Sequence, residues 1–305
     1  MQDIQAALAA IPQLRHLAGR PLKVARLGGL TNQVYKLDLG DERLILRIPG
    51  KGTEAYIDRK VEMHNARAAA RAGVSAPVLF GDGDSGLLLL RCLDEVVTMT
   101  PAHFASRVGA PARAAAALLK LHGSGESFRF RFELFAMIDD YLAHLKKLGA
   151  SLPDDYGAVV AAAKPLRAAL EKNPPALAPC HCDPLCENFL DDGQRMWIVD
   201  WEYSGMNDPF WDLGDLSVEA GFTQAEDDEM MRAYCQGEVA AAEMGRMVIY
   251  KALCDLLWTL WGLIQHANNN PAEDFWAYAT GRFDRCQALM KSAAFQAHLQ
   301  AVAAG

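Results

Sequence analysis

Residues 180–200 hold side chains whose types and order suit phosphoryl transfer. Cys180-His181-Cys182-Asp183-Pro184-Leu185-Cys186-Glu187-Asn188 is followed, after a turn at Asp191-Asp192-Gly193, by the apolar run Met196-Trp197-Ile198-Val199 ending in Asp200. One hairpin thus carries an aspartate, an asparagine five residues on and a second aspartate twelve further on. Moving a phosphoryl group needs a carboxylate to orient and deprotonate a hydroxyl, and oxygen donors for the magnesium that neutralises the phosphates. Asp183 is the candidate base, and Asn188 and Asp200 are the candidate Mg2+ ligands. An aspartate that merely caps a turn is the bland alternative, and the ordered H-x-D-x4-N with a later strand-end Asp outweighs it.

A phosphate clamp is expected upstream. Arg47 lies in Leu44-Ile45-Leu46-Arg47-Ile48, a charge in an apolar strand, which is costly unless it meets a partner or an anion. Glu62 on the following helix is its natural partner, and the guanidinium fork suits the phosphates of ATP. An exposed surface arginine is the alternative. Gly28-Gly29-Leu30-Thr31-Asn32 fits a turn closing over phosphates, though many hairpins carry two glycines. The absence of G-x(4)-G-K-[ST] excludes a P-loop. Gly81-Asp82-Gly83-Asp84-Ser85-Gly86 matches G-x-G-x-x-G, but a strand follows it and its aspartates would repel pyrophosphate, so it reads as a hairpin turn.

These residues need a scaffold. Short β-rich runs at 24–27, 33–39, 43–48, 77–80 and 87–91 surround one helix at 56–72 that stops at Gly73. Long helical patterns follow at 103–122, 133–148, 155–172, 209–220, 224–236, 239–268 and 272–294. The class is α+β: an ATP-clamping lobe over 1–93, a connector at Cys92 to Asp94, and a catalytic and substrate-binding lobe over 94–305.

The net charge of -8 and pI near 5.5 argue against nucleic acid or an anionic membrane and suit a cationic substrate. The apolar runs fall short of the ~20 residues of a spanning helix. An N-terminus with Asp3 and no basic segment is no signal peptide, so a cytoplasmic protein is expected. Seven scattered cysteines read as reduced thiols. Cys180, Cys182 and Cys186 beside His181 invite zinc, but C-x-C-x3-C without a second knuckle reads as packing.

Trp258 and Trp261, three apart, share one helix face. With Tyr203, Tyr278 and an acid such as Glu202 or Glu219 they could cage a quaternary ammonium through cation–π contacts. Tryptophans that simply fill a core remain the other reading.

Together these stretches resemble the choline/ethanolamine kinase family, within the aminoglycoside-phosphotransferase-like kinases. The matching residues are Gly29-Leu30-Thr31-Asn32, Leu46-Arg47-Ile48-Pro49-Gly50, Ile57-Asp58-Arg59 with Glu62, His181 to Asn188, Asp200-Trp201-Glu202-Tyr203, Leu257-Trp258-Thr259-Leu260-Trp261, and Tyr278 with Arg282-Phe283-Asp284. The resemblance implies a protein-kinase-like bilobal fold, with a small antiparallel-sheet N-lobe carrying one helix and a large, mainly helical C-lobe. It implies ATP and Mg2+, with Asp183 as base, Asn188 and Asp200 at the metal, and Gly29, Thr31, Asn32, Arg47 and Glu62 at the nucleotide. The connector, with Arg91 and Leu93, would meet the nucleotide base. Glu202, Tyr203, Glu219, Trp258, Trp261 and Tyr278 would surround a small cationic amino alcohol.

An aromatic cage favours choline over ethanolamine, whose N–H donors want acceptors; thiamine is the alternative cation with a primary hydroxyl. An aminoglycoside would require a wider, more acidic groove, and a silent kinase-fold binding protein is the non-enzymatic alternative. Asp200-Trp201-Glu202 in place of Asp-Phe-Gly argues against a protein kinase. Two departures from the family pattern bear on loop geometry: Cys182 stands where Asn or Gly is usual, and no glycine precedes Asn188.

Overall fold

The computed structural model describes residues 2–18, 22–27, 32–50 and 57–305. The expected phosphate turn, with Gly29 and Thr31, lies outside the described residues. The helix Gln2–Ala10 (α1) and a 3-10 turn at Pro12–Leu17 come first. They precede the strands Lys23–Arg26 (β1), Gln33–Asp38 (β2) and Arg43–Ile48 (β3). The helix Arg59–Arg71 (α2) leads to Val78–Gly81 (β4) and Leu88–Arg91 (β5). The five strands form one antiparallel sheet in the order β1-β2-β3-β5-β4.

A sheet must cover its apolar face. Leu37, Leu44, Leu46 and Leu89 pack against Ile4, Ala7, Leu8 and Ile11. Those four have the i, i+3, i+4, i+7 spacing of an amphipathic helix, a signal the sequence carried and the reading above passed over. On β3, Arg47 stands opposite Val34 and Leu88, in the middle of the sheet. The Asp58 side chain caps α2, accepting from the N–H of Lys60 and Val61 at 2.9 and 3.2 Å. Asp82 closes the β4–β5 turn in the same way, accepting from the N–H of Asp84 at 3.0 Å, so the glycine-rich run is a hairpin turn.

The remaining elements are Val97–Thr98 (β6), Pro101–Ser106 (α3), Ala110–His122 (α4), Leu134–Leu148 (α5), Tyr156–Ala162 (α6), Lys164–Lys172 (α7) and Ala178–Cys180 (β7). Then come Phe189–Asp191 (β8), Met196–Ile198 (β9), Gly205–Asn207 (β10), Phe210–Ala220 (α8), Gln224–Tyr234 (α9), Ala241–Ala267 (α10), Phe275–Lys291 (α11) and Ala293–Ala304 (α12). The sequence pattern joined α3 to α4 and α6 to α7. Pro111 and Pro165, each in the first turn of the later helix, mark both breaks. It also stopped short of α12, which starts where Ser292 caps Phe295.

Helix α10 organises this part of the molecule, packing against α5, α8, α11 and α12. It is long and apolar enough to cross a bilayer, yet 83% of its apolar window is buried inside the protein. Two glycines set its neighbours close. A Cβ on Gly214 of α8 would meet the Met247 carbonyl oxygen and Tyr250 Cβ of α10, both at 2.8 Å. A Cβ on Gly262 of α10 would lie 2.7 Å from Tyr278 Cδ1 of α11.

The β8–β9 hairpin is clamped from below. Asp191 is fully buried and accepts from Arg113 at 2.8 and 2.7 Å and from Arg107 at 2.7 Å. Burial pushes its carboxyl up, but Arg113, Arg107 and the Gly193 N–H outweigh this and hold it at about 2. The contribution is therefore complete above the ordinary carboxylate range and disappears as pH falls through about 2. Asp191→Ala leaves two arginines facing an empty site and should destabilise the protein by about 3 kcal/mol in urea unfolding at pH 7; a change below about 0.5 kcal/mol would refute the clamp.

Candidate active site

The loop between β7 and β8 is shaped by a carboxylate that the sequence reading did not single out. Asp212 of α8 accepts the backbone N–H of His181 at 2.7 Å and of Cys182 at 2.9 Å. His122 of α4 meets Asp212 Oδ2 through Nε2 at 3.0 Å, while its Nδ1 lies 2.8 Å from the Tyr234 hydroxyl. Cys182 takes a left-handed backbone with φ 67°, which explains why Asn or Gly suits this position: both tolerate that region, whereas another residue pays roughly 1 kcal/mol. Its carbonyl accepts from Trp211 Nε1 at 3.1 Å. The sulfurs of Cys180, Cys182 and Cys186 are buried, and burial pushes the Cys186 thiol up to about 12, so they pack as neutral thiols. Burial also lowers the His181 pKa; the neutral ring donates through Nε2 to the Val199 carbonyl at 2.8 Å and ties the loop to the end of β9.

This scaffold brings Asp183, Asn188 and Asp200 together. The Asn188 amide donates through Nδ2 to the Asp183 carbonyl at 3.0 Å, which makes Oδ1 the atom of that amide able to accept or to ligate. Asp200 also has a left-handed backbone, with φ 68°. Its carboxyl is raised by burial and by neighbouring Glu202, against the pull of Arg47. An amide oxygen and a carboxylate in a site this rich in negative charge fit a hard divalent cation. The Asp183 carboxyl is pushed up to about 8, first by burial and then by Glu219 and Asp200, with Arg282 opposing.

Above these acids lies an arginine cluster. Arg47 pairs with Glu62 and lies 3.4 Å from Asp200. Its buried Nε has no hydrogen-bond partner among the described residues, a donor left for an anion. Arg59, absent from the expected set, joins Glu62 at 2.8 Å to Glu202 at 2.5 Å. Asn32 donates to Glu202 at 2.8 Å. Glu202, expected among the substrate-binding aromatics, therefore has its carboxylate taken up by Arg59 and Asn32, because the turn after Asp200 carries it toward the sheet. Arg91 is exposed at the end of β5, and Leu93 is half-buried in the connector that the Cys92 N–H ties to the Arg43 carbonyl at 3.0 Å.

On the other side of Asp183 the expected aromatics do assemble. Tyr203 and Trp258 stand edge-on at 5.9 Å, Trp258 and Trp261 at 6.4 Å, and Trp261 and Tyr278 at 5.7 Å. Arg282 lies 4.6 Å from the centre of the Tyr278 ring and forms an ion pair with Glu219. Three helices supply i, i+4 pairs: Asp215 and Glu219 from α8, Cys254 and Trp258 from α10, Tyr278 and Arg282 from α11. A cavity of about 820 Å³ opens beside them, lined by Phe130, Tyr141, Glu202, Tyr203 and Trp261 among others.

Comparison with known proteins identifies this arrangement. The phosphotransferase enzyme family model matches residues 23–250. A choline/ethanolamine kinase family protein from Mesorhizobium loti is 57% identical, with a TM-score of 0.92 covering 100% of this chain and 99% of that one. The chain belongs to the choline/ethanolamine kinase family. Choline kinase LicA from Streptococcus pneumoniae is 28% identical, with a TM-score of 0.76 covering 94% of this chain and 99% of its own. Ethanolamine kinase 2 from Mus musculus is 25% identical over 92% of this chain and 79% of its own length. The fold is the protein-kinase-like one, and the chain is a phosphotransferase.

Within this family member, Asp212 and Asp215, which the sequence reading missed, share a detectable signal. Phe210-Trp211-Asp212-Leu213-Gly214-Asp215-Leu216 buries two acids in an apolar helix, which is costly without a purpose. Tyr141 carried no such signal; it reaches Asp183 only through the fold, which pushes its hydroxyl up to about 12 by burial and by that carboxylate.

Two outcomes follow. Asp212→Ala should lower kcat at least ~100-fold while the protein stays folded, since a misplaced loop loses orientation; kcat within about three-fold would refute the anchoring role. A base is active only when deprotonated, so kcat/KM should fall as pH drops through an apparent pKa well above the ordinary carboxylate range, and the limb in kcat should lie at lower pH once a cation fills the pocket. Flat pH profiles down to pH 5 would exclude Asp183 as that base.

Proposed function

We propose that the protein is an ATP-dependent kinase that transfers the γ-phosphoryl group to the hydroxyl of choline, with ethanolamine as the related acceptor. The observation that carries this reading is the position of Asp183, between an anion-seeking arginine and an aromatic pocket edged with acids. In this reading the substrate ammonium rests against Trp258, Trp261 and Tyr203 beside Glu219. A quaternary ammonium has no N–H to donate, so ring faces and carboxylates are what can hold it.

The hydroxyl then points at Asp183, which accepts its hydrogen bond and takes its proton as the oxygen attacks the γ-phosphorus in line. Arg47, fixed by Glu62, offers Nε to the phosphates. Asn188 and Asp200 would hold Mg2+, which would neutralise phosphate charge. The bound ammonium brings positive charge to the acids beside Asp183, and this favours the ionised form of its carboxyl.

Release of ADP from Mg-ATP, measured over a panel of choline, ethanolamine and thiamine, tests the assignment. Choline or ethanolamine should drive turnover; no turnover with either defeats the substrate class. Asp183→Asn should abolish activity to within ~0.1% of wild type. Trp258→Ala should cost about 2 kcal/mol, or about thirty-fold, in kcat/KM for choline; an unchanged value would return that tryptophan to the role of core packing.

A further inference from the structure

Asn65 of α2 is fully buried in an alanine-rich stretch of helix, where an amide disfavours the helix and is costly to bury unless its polar atoms are used. They are used, and each bond leaves the helix. Nδ2 donates to the Ser204 carbonyl at 2.9 Å and to the Ser204 hydroxyl oxygen at 3.1 Å, while Oδ1 accepts from the Arg129 N–H at 3.0 Å. The two segments it grips are also joined to each other. The Met206 N–H donates to the Phe130 carbonyl at 2.7 Å and the Phe132 N–H to the Met206 carbonyl at 3.0 Å, and a Cβ on Gly205 would lie 2.8 Å from the Phe130 carbonyl oxygen.

Phe130 and Tyr203, each next in sequence to a residue that Asn65 binds, line the cavity, as does Ser204 itself; Val61, one turn earlier on α2, lines it too. Tyr203 also stands against Trp258. On the same helix Glu62 pairs with Arg47, and Arg59 reaches Glu202. One amide therefore ties the cavity wall to the helix that carries the phosphate clamp, and a displacement of either is felt by the other. We propose that Asn65 is a positioning residue for both substrates: its amide sets Phe130 and Tyr203 toward the acceptor alcohol and keeps Glu62 and Arg59 in register with the clamp. This rests on the kinase reading given above.

ADP release gives kcat, the KM of ATP and the KM of whichever of choline and ethanolamine the wild type uses better. The variants are Asn65→Asp, which keeps the acceptor for Arg129 and loses the donors to Ser204, Asn65→Leu, which loses both, and Ser204→Ala, which removes one acceptor and leaves the amide in place. In both Asn65 variants the two KM values should rise together, by about ten-fold or more, with a smaller fall in kcat. Ser204→Ala should raise the same two constants by about three-fold, and its effect should shrink on the Asn65→Leu background, as expected of partners in one bond. Phe295→Leu in α12, a core substitution outside every segment that lines the cavity, controls for lost stability and should leave both constants within about two-fold. Unchanged constants in the Asn65 variants overturn the proposal, as does a rise in one constant alone or a rise matched by Phe295→Leu. If neither Asn65 variant folds, Ser204→Ala decides: a joint rise supports the proposal and unchanged constants overturn it. If wild type phosphorylates neither alcohol, the kinase reading itself falls; if it does and the constants are insensitive to Asn65, only this inference does.

Discussion

The side chain of Asp212 is the constraint on which the catalytic geometry depends. It lies inside the protein, reaches two consecutive backbone N–H groups, and is itself gripped by His122. Fixing those two amides fixes the direction in which the next residue, Asp183, leaves the chain. A loop of this length could aim its carboxylate many ways; one buried acceptor from a neighbouring helix selects one of them. The left-handed backbone at Cys182 is the local strain accepted in exchange, and the buried packing of its sulfur helps to hold it.

Around that point the molecule gathers negative charge on both sides. Asp200, Glu62 and Glu202 meet Arg47 and Arg59 near the sheet, while Glu219 and Asp215 meet Arg282 under the aromatics. Neither group is neutral by itself. Burying such an excess is unfavourable in an empty protein, and the same excess becomes attraction once cations arrive. Raised carboxyl groups and ligand affinity are therefore two expressions of one arrangement.

Much of this was legible in the chain. Short β-rich runs at 33–39 and 43–48, bounded by glycine turns, located β2 and β3 to within a residue. Asp183, Asn188 and Asp200 were readable because their spacing is tied to a hairpin, a local structure. What escaped depends on long-range contact: Asp212 acts on a loop about 30 residues earlier, Arg59 meets Glu202 143 residues away, and the direction of the Glu202 side chain follows from that meeting. Helix α1 is different, since Ile4, Ala7, Leu8 and Ile11 carry a helical period in the sequence itself.

The aromatic cluster of Trp258, Trp261 and Tyr278 stands on helices, and α10 lies close to α8 at Gly214 and to α11 at Gly262. On that side the width of the cavity is a property of the core, while Phe130 and Tyr203 close it from segments outside the helices. In this chain a side chain exchanged at an inward position of α8, α10 or α11 alters that cluster without moving the helices that carry it. Substrate preference in such a framework evolves by single steps on a rigid frame, where each step is felt at once by the packing behind it.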